Sequence, residues 1–161
     1  MTEVRIRRAE PADAELVHRL VMELADYERL THQATATVDD IREALFEPPV
    51  RVFCDLAEQG GQAVGFALWF YNYSTFQGRA GLYLEDLYVR PDWRQAGVGG
   101  ALLKALAQRC VEEGLGRMSW LVLNWNEPAI EFYQGLGAHI IDDWSGCRLE
   151  GEPLRRLGTE P

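Results

Sequence analysis

Leu82-Tyr83-Leu84-Glu85-Asp86-Leu87-Tyr88-Val89-Arg90-Pro91-Asp92-Trp93-Arg94-Gln95-Ala96-Gly97-Val98-Gly99-Gly100 sets an apolar strand with two adjacent carboxylates directly against a glycine-rich loop that opens a helix. Glycines there let the backbone approach a ligand closely, and the free N–H groups of a helix N-terminus favour an anion such as a pyrophosphate. A few residues upstream, Glu85 and Asp86 offer groups for a proton or a cation. Arg94 to Gly99 reads R-x-x-G-x-G. It is not the dinucleotide fingerprint, whose third glycine and downstream acid are missing, nor a P-loop, because no Gly-Lys-Ser/Thr follows. In isolation it is also compatible with a plain glycine-containing helix start.

Working outward, Val4-Arg5-Ile6-Arg7 alternates apolar and basic residues and predicts a strand with one wet face. Leu16, Val17, Leu20, Val21, Leu24 and Tyr27 lie at helical spacing after Glu10-Pro11-Ala12-Asp13 and predict an amphipathic helix ending near Arg29. Thr37, with Asp40 three residues on as an imperfect capping box, opens a short second helix that Pro48-Pro49 stops. Residues 50–57 and 63–71 flank Gly60-Gly61 and predict an antiparallel pair, and a loop over 72–78 leads to a strand over 80–89. Downstream come a helix over 97–113, a buried strand over 118–123, a helix over 128–136 closed by Gly137, and a final strand pair over 138–142 and 144–150. The order predicts an α/β (α+β) fold, a mixed, largely antiparallel central sheet of about seven strands with helices on both faces, in a single domain over 1–161.

The 161 residues suffice for one sizeable core, and 47% hydrophobic with 25% charged residues is an ordinary globular composition. A net charge of -9 argues against a nucleic-acid partner and suits a cationic substrate. Cys54, Cys110 and Cys147 are odd in number and widely spaced, so neither a disulfide framework nor a metal site is expected. The N-terminus, Met-Thr-Glu-Val-Arg-Ile-Arg-Arg, lacks the apolar core of a signal peptide, and no apolar run approaches the roughly 18 residues of a membrane span. A soluble cytoplasmic protein without membrane contact is expected.

R-x-x-G-x-G after a strand ending Val-x-Pro and before an apolar helix resembles the acetyl-CoA signature of the GNAT acetyltransferase superfamily, and the resemblance runs from the first strand to Arg148. Within it, Glu23-Leu24-Ala25-Asp26-Tyr27-Glu28, Tyr83-Leu84-Glu85-Asp86-Leu87-Tyr88-Val89 and Trp125-Asn126-Glu127-Pro128-Ala129-Ile130-Glu131-Phe132-Tyr133 resemble the diamine acetyltransferase group, meaning the spermidine/spermine N1-acetyltransferases and their thialysine-acetylating relatives. The resemblance implies acetyl-CoA as co-substrate. Amides of Gln95, Ala96, Gly97, Val98, Gly99 and Gly100 would hold its pyrophosphate, with Arg94 adding charge; the strand segment Leu87, Tyr88 and Val89 would offer main-chain groups to the pantetheine and acetyl carbonyl. Asn126 would touch the cofactor arm. Glu28, Glu85, Asp86 and Phe76 would face the amine, and a homodimer is implied. The loop Tyr73-Ser74-Thr75-Phe76 departs from the Asp-Pro-Trp of polyamine-acetylating members and is closer to the Ser-Thr-Trp of the thialysine branch.

Acyl transfer to an amine needs a neutral nucleophile, a donor for the developing oxyanion and a proton for the departing thiolate. Glu85 is the candidate base, provided a desolvated pocket, a water relay or both raise a carboxyl of ordinary pKa ~4. Adjacent strand residues point to opposite faces, so Glu85 and Asp86 can serve one site only if a bulge intervenes. The plainer alternative makes them a solvated strand edge or an ion pair. Tyr133 resembles the superfamily's tyrosine near the cofactor sulfur, where its phenol would protonate a thiolate; it also suits core packing beside Phe132 and Trp125. Trp69, Tyr71, Tyr73 and Phe76 are candidates for an aromatic wall facing a cation. The expected function is N-acetyl transfer to a small diamine, polyamine or lysine/thialysine-like amine by direct attack in a ternary complex. The alternatives are a protein or peptide amine as acceptor, and a non-catalytic acyl-CoA-binding module.

Overall fold

The computed structural model describes residues 3–159, so Met1 and Thr2 of the N-terminal reading, and Glu160 and Pro161 of the predicted domain, lie outside the described residues. The chain divides into two compact units, one ending at Leu121 and the other beginning at Val122.

The first unit is a sheet with helices on both faces. Strand β1 (Arg5–Arg8) leads through a 3-10 turn to helix α1 (Ala14–Tyr27), and helix α2 (Val38–Phe46) follows. The capping box that opens α2 closes fully with an aspartate in the acid position: Asp40 N–H donates to Thr37 Oγ1 at 3.2 Å and Thr37 N–H donates to Asp40 Oδ2 at 2.7 Å. Strands β2 (Phe53–Gln59) and β3 (Gln62–Ser74) then form a hairpin. Its two-residue turn, Gly60-Gly61, has φ of 61° and 79°, a conformation that only glycine adopts readily and that matches the twist of paired strands. β3 runs on to Ser74, past the predicted start of the loop, and pairs along its length with β4 (Arg79–Val89). Helix α3 (Val98–Glu112) crosses to β5 (Met118–Trp120), which lies parallel to β4.

The sheet order is β1-β2-β3-β4-β5, antiparallel except for its last pair. One face carries Cys54, Leu56, Phe66, Leu68 and Tyr88, packed against Val17, Leu20 and Leu24 of α1 and Leu45 of α2. The other carries buried Trp69, Leu82 and Leu84, and the buried side of α3 (Val98, Leu102, Leu103, Leu106) covers it.

The described residues hold five strands, not about seven. In the second unit α4 (Glu127–Gly135) and α5 (Gly151–Thr159) are helical, while residues 138–150, read above as the final strand pair, form no strand. The segment has apolar content without alternation: Ile140 and Ile141 are adjacent, which breaks a period of two, and both are exposed with Trp144 and Leu149. Helix α5 lies beyond the last element expected from the sequence, and its Pro153 falls in the first turn, where proline is tolerated.

Candidate active site

The ladder between β3 and β4 is interrupted at the carboxylates. Leu68 pairs with Asp86 and Trp69 with Leu84, which leaves Glu85 as an extra residue on β4, a β-bulge. In a regular strand residues 84 and 86 share a face. Here Leu84 lies on the α3 face with Trp69, whereas Asp86 lies on the α1 face with Leu68. The bulge therefore switches the strand's phase between the core and the site.

Asp86 is thereby turned inward, while Glu85 sits exposed on the bulge. Burial, reinforced by the negative charges of Glu85 and Glu28, pushes the Asp86 carboxyl up to about 7. Glu28, the residue that ends α1, is itself half-buried, and desolvation raises its carboxyl. The structure thus brings Glu28, Glu85 and Asp86 together, and none of the ion pairs among the described residues involves any of them. The desolvation expected at Glu85 falls on Asp86 instead. The reason is the bulge, which presents the first carboxylate to solvent and the second to α1.

Beyond the bulge, β4 is paired on one side only. Its ladder with β5 covers Leu82–Leu84, so from Glu85 to Val89 the edge away from β3 has no strand partner among the described residues. Leu87, Tyr88 and Val89 lie on this stretch, where unpaired backbone groups suit an extended ligand that carries amides. The chain then turns through Pro91–Trp93 into Arg94, Gln95, Ala96 and Gly97, all exposed. Gly97 ends this turn as the N-cap of α3 with φ 81° and contributes no side chain to the cap. A Cβ built on Gly97 or Gly100 meets nothing within 4 Å. Space therefore lies open beside Gly97 and Gly100 at the start of α3, where the helix dipole and the free N–H groups of a first turn suit an anion such as a pyrophosphate.

Other expected residues take different places. Arg94 donates from Nε to the Val89 carbonyl at 2.9 Å, and its guanidinium lies 4.4 Å from the centre of the Tyr27 ring. In the second unit, buried Asn126 caps α4, its side-chain oxygen accepting from Ala129 N–H at 3.4 Å. Tyr133, half-buried on α4, has its ring 5.4 Å from that of Phe132. Phe76 is 99% exposed at the tip of the β3–β4 hairpin. The pairs run six residues from Leu68–Asp86 to Ser74–Arg79, a span of roughly 20 Å, so one chain does not bring Phe76 to its own carboxylates.

The aromatic wall is likewise not assembled around the acids. Trp69 is 1% exposed on the opposite face of the sheet. Its ring is already in contact with Phe53, stacked at 4.7 Å, and with the chain's own cations, Arg8 and Arg109, each 5.0 Å from the ring centre, and its Nε1 donates to Asp55 at 3.0 Å. Sequence reasoning missed Glu23, whose carboxylate holds Arg90 just past β4. The available signal was the matched four-residue spacing of Glu23 and Tyr27 on the helix with Arg90 and Arg94 after the strand.

The model of the Acetyltransferase (GNAT) family matches residues 17–138. The chain is 35% identical to a thialysine N-epsilon-acetyltransferase of Bos taurus, across 98% of both chains. It is 31% identical to an L-ornithine N5-acetyltransferase of Arabidopsis thaliana, covering 95% of this chain and 87% of that one. Among solved structures, an integron cassette protein from the mobile metagenome of V. cholerae matches with a TM-score of 0.83 at 26% identity, over 99% of both chains.

Proposed function

Because the chain belongs to the acetyltransferase (GNAT) family, whose members take their acetyl group from acetyl-CoA, we propose that it acetylates the primary amine of a small diamine, polyamine or lysine/thialysine-like amino acid. The observation that carries this reading is the set of Glu28, Glu85 and Asp86 gathered around the bulge, none of them in an ion pair among the described residues. Three carboxylates so placed suit a ligand with more than one positive charge. The thialysine and ornithine names of the relatives point the same way, since both are amino acids with a second amine.

Bound acetyl-CoA would supply the acetyl group as an activated thioester. The amides of residues 95–100 would hold its pyrophosphate, and the open edge of Leu87 to Val89 its amide-bearing arm. On the amine side, exposed Glu85 and half-buried Glu28 draw the ammonium in. Asp86 then takes its proton: a carboxyl poised near neutrality is a far better acceptor than one near 4. This gives the base role to Asp86 and leaves Glu85 to bind the ammonium or relay its proton through water. Tyr133 keeps a proton on its phenol oxygen for the leaving group, a role proposed from the resemblance. Direct attack suits two of the three cysteines: Cys54 is buried, with its thiol pushed up by desolvation and by Asp55, and desolvation also raises Cys110.

We include in the proposal that residues 1–161 act as one catalytic domain, and that the enzyme is a cytoplasmic homodimer, in which Phe76 of one copy reaches the amine site of the other. The test is a steady-state assay of CoA thiol release over diamines, polyamines, basic amino acids and peptides. Acetylation of small dicationic amines is expected; activity confined to peptides would overturn the small-amine reading.

A further inference from the structure

The last turns of α1 are joined to the segment between β4 and α3 at two points one helical turn apart. Arg90 donates from Nε and Nη2 to both oxygens of Glu23, at 3.0 and 2.8 Å, and from Nη1 to the Ala63 carbonyl at 2.9 Å. Four residues further along each segment, the Arg94 guanidinium lies 4.4 Å from the ring centre of Tyr27 and 5.7 Å from that of Tyr88, with Nε held by the Val89 carbonyl at 2.9 Å. Glu23 and Tyr27 share a helix face, so these contacts form one seam. Within the segment itself one backbone turn links the two arginines: Trp93 N–H donates to Arg90 O and Arg94 N–H to Pro91 O, at 2.9 and 3.2 Å.

The two ends of this seam belong to different halves of the site. Immediately after Tyr27 comes Glu28, one of the three carboxylates; immediately after Arg94 come Gln95, Ala96 and Gly97, the turn that opens onto the anion cradle. An arginine meant only to neutralise a phosphate needs charge at the end of a flexible stem. One that stacks its plane on two aromatic rings and spends Nε on a carbonyl uses the shape of the guanidinium, which lysine lacks.

We propose that Arg94 is a positioning residue, seated on Tyr27, that ties the carboxylate end of α1 to the anion loop, and that this tie, rather than a direct contact with phosphate, is its main contribution to acyl-CoA binding. The proposal rests on the reading of residues 94–100 as the acyl-CoA loop and goes beyond it: ordering of the loop and placement of Glu28 become one event, so each ligand favours the other's site.

The test combines calorimetric titration with CoA and amide hydrogen exchange of the free protein. Arg94→Ala is expected to weaken CoA about tenfold, Arg94→Lys nearly as much, and Tyr27→Leu about fivefold, whereas Tyr27→Phe, which keeps the ring face, stays within about twofold. The double variant Arg94→Ala/Tyr27→Leu is expected to lose about ten- to fifteenfold, well short of the roughly fiftyfold of independent sites. In the free protein, Tyr27→Leu speeds exchange at Gln95 to Gly97 while Tyr27→Phe does not. Wild-type affinity in Arg94→Lys or in Tyr27→Leu, or a double variant at the full product, would overturn the tie. A wild-type chain that does not bind CoA would overturn the loop reading instead, while the exchange arm still decides whether Tyr27 orders the loop.

Discussion

The two faces of the same sheet handle charge in opposite ways. On the α3 face Asp55 is held by Arg8 at 3.0 Å and by Trp69, and Glu113 accepts from Tyr71 at 2.7 Å and Arg109 at 3.1 Å. Each carboxylate there has its donors, and Tyr71 and Arg109 hold Glu113 below the usual carboxylate range. On the α1 face Asp86 is half-buried beside two further carboxylates, and desolvation and their charge lift it to about 7. The first arrangement is how a fold satisfies charge for its own sake. The second is destabilising unless a ligand completes it, and one bulged residue separates the two.

Asp86→Asn should break the contrast most strongly. It is expected to cost roughly a hundredfold to ten-thousandfold in turnover while acetyl-CoA binding stays near wild type, and Glu85→Gln to cost less, as steady-state and binding measurements will check. Tyr133→Phe should lower turnover by a smaller factor, roughly ten- to a hundredfold, again with binding kept. On the paired face, Asp55→Ala leaves the half-buried Arg8 guanidinium and the buried Trp69 indole without their acceptor and should cost about 2–3 kcal/mol in urea unfolding, with the Michaelis constants unchanged once the protein is folded. Equal losses of activity in Asp55→Ala and Asp86→Asn would erase the distinction between the faces.

The smallest effect carries the opposite sign. A carboxyl whose pKa is raised in the folded state binds its proton more tightly there than in the unfolded chain. Stability contributed by Asp86 is therefore present below about pH 4 and is lost as the pH rises through about 7. Asp86→Asn should accordingly stabilise the fold by about 1–2 kcal/mol at pH 8 and make little difference near pH 4, as denaturant titrations at the two pH values will show. A less stable Asp86→Asn at pH 8 would mean that the carboxylate has a partner in the fold after all.

Much of this was legible in the chain. The glycine turn at Gly60-Gly61, the α1 stripe and the loop from Arg94 to Gly100 are local signals, each set by backbone freedom or periodicity. The adjacent acids showed that a bulge was needed but not which acid it would bury, because that depends on how β3 and α1 pack around β4. Trp69 and Tyr71 read as a wall for a foreign cation, since composition cannot say that Arg8 and Arg109 already occupy it. The segment over 138–150 misled because apolar residues without strict alternation carry no instruction for a strand. The Glu23–Arg90 and Tyr27–Arg94 seam was hidden because the contacts join residues nearly seventy apart, although their spacing matched.

Asp86 is the group proposed to take the amine's proton. The direct measurement is the pH dependence of kcat/KM for a small diamine, in the wild-type chain and in Asp86→Asn. The account predicts that wild-type activity falls below an apparent pKa of about 7 and that Asp86→Asn loses this limb along with most of its rate. An unchanged acid limb in Asp86→Asn, or a wild-type profile flat from pH 5 to pH 8, would contradict it.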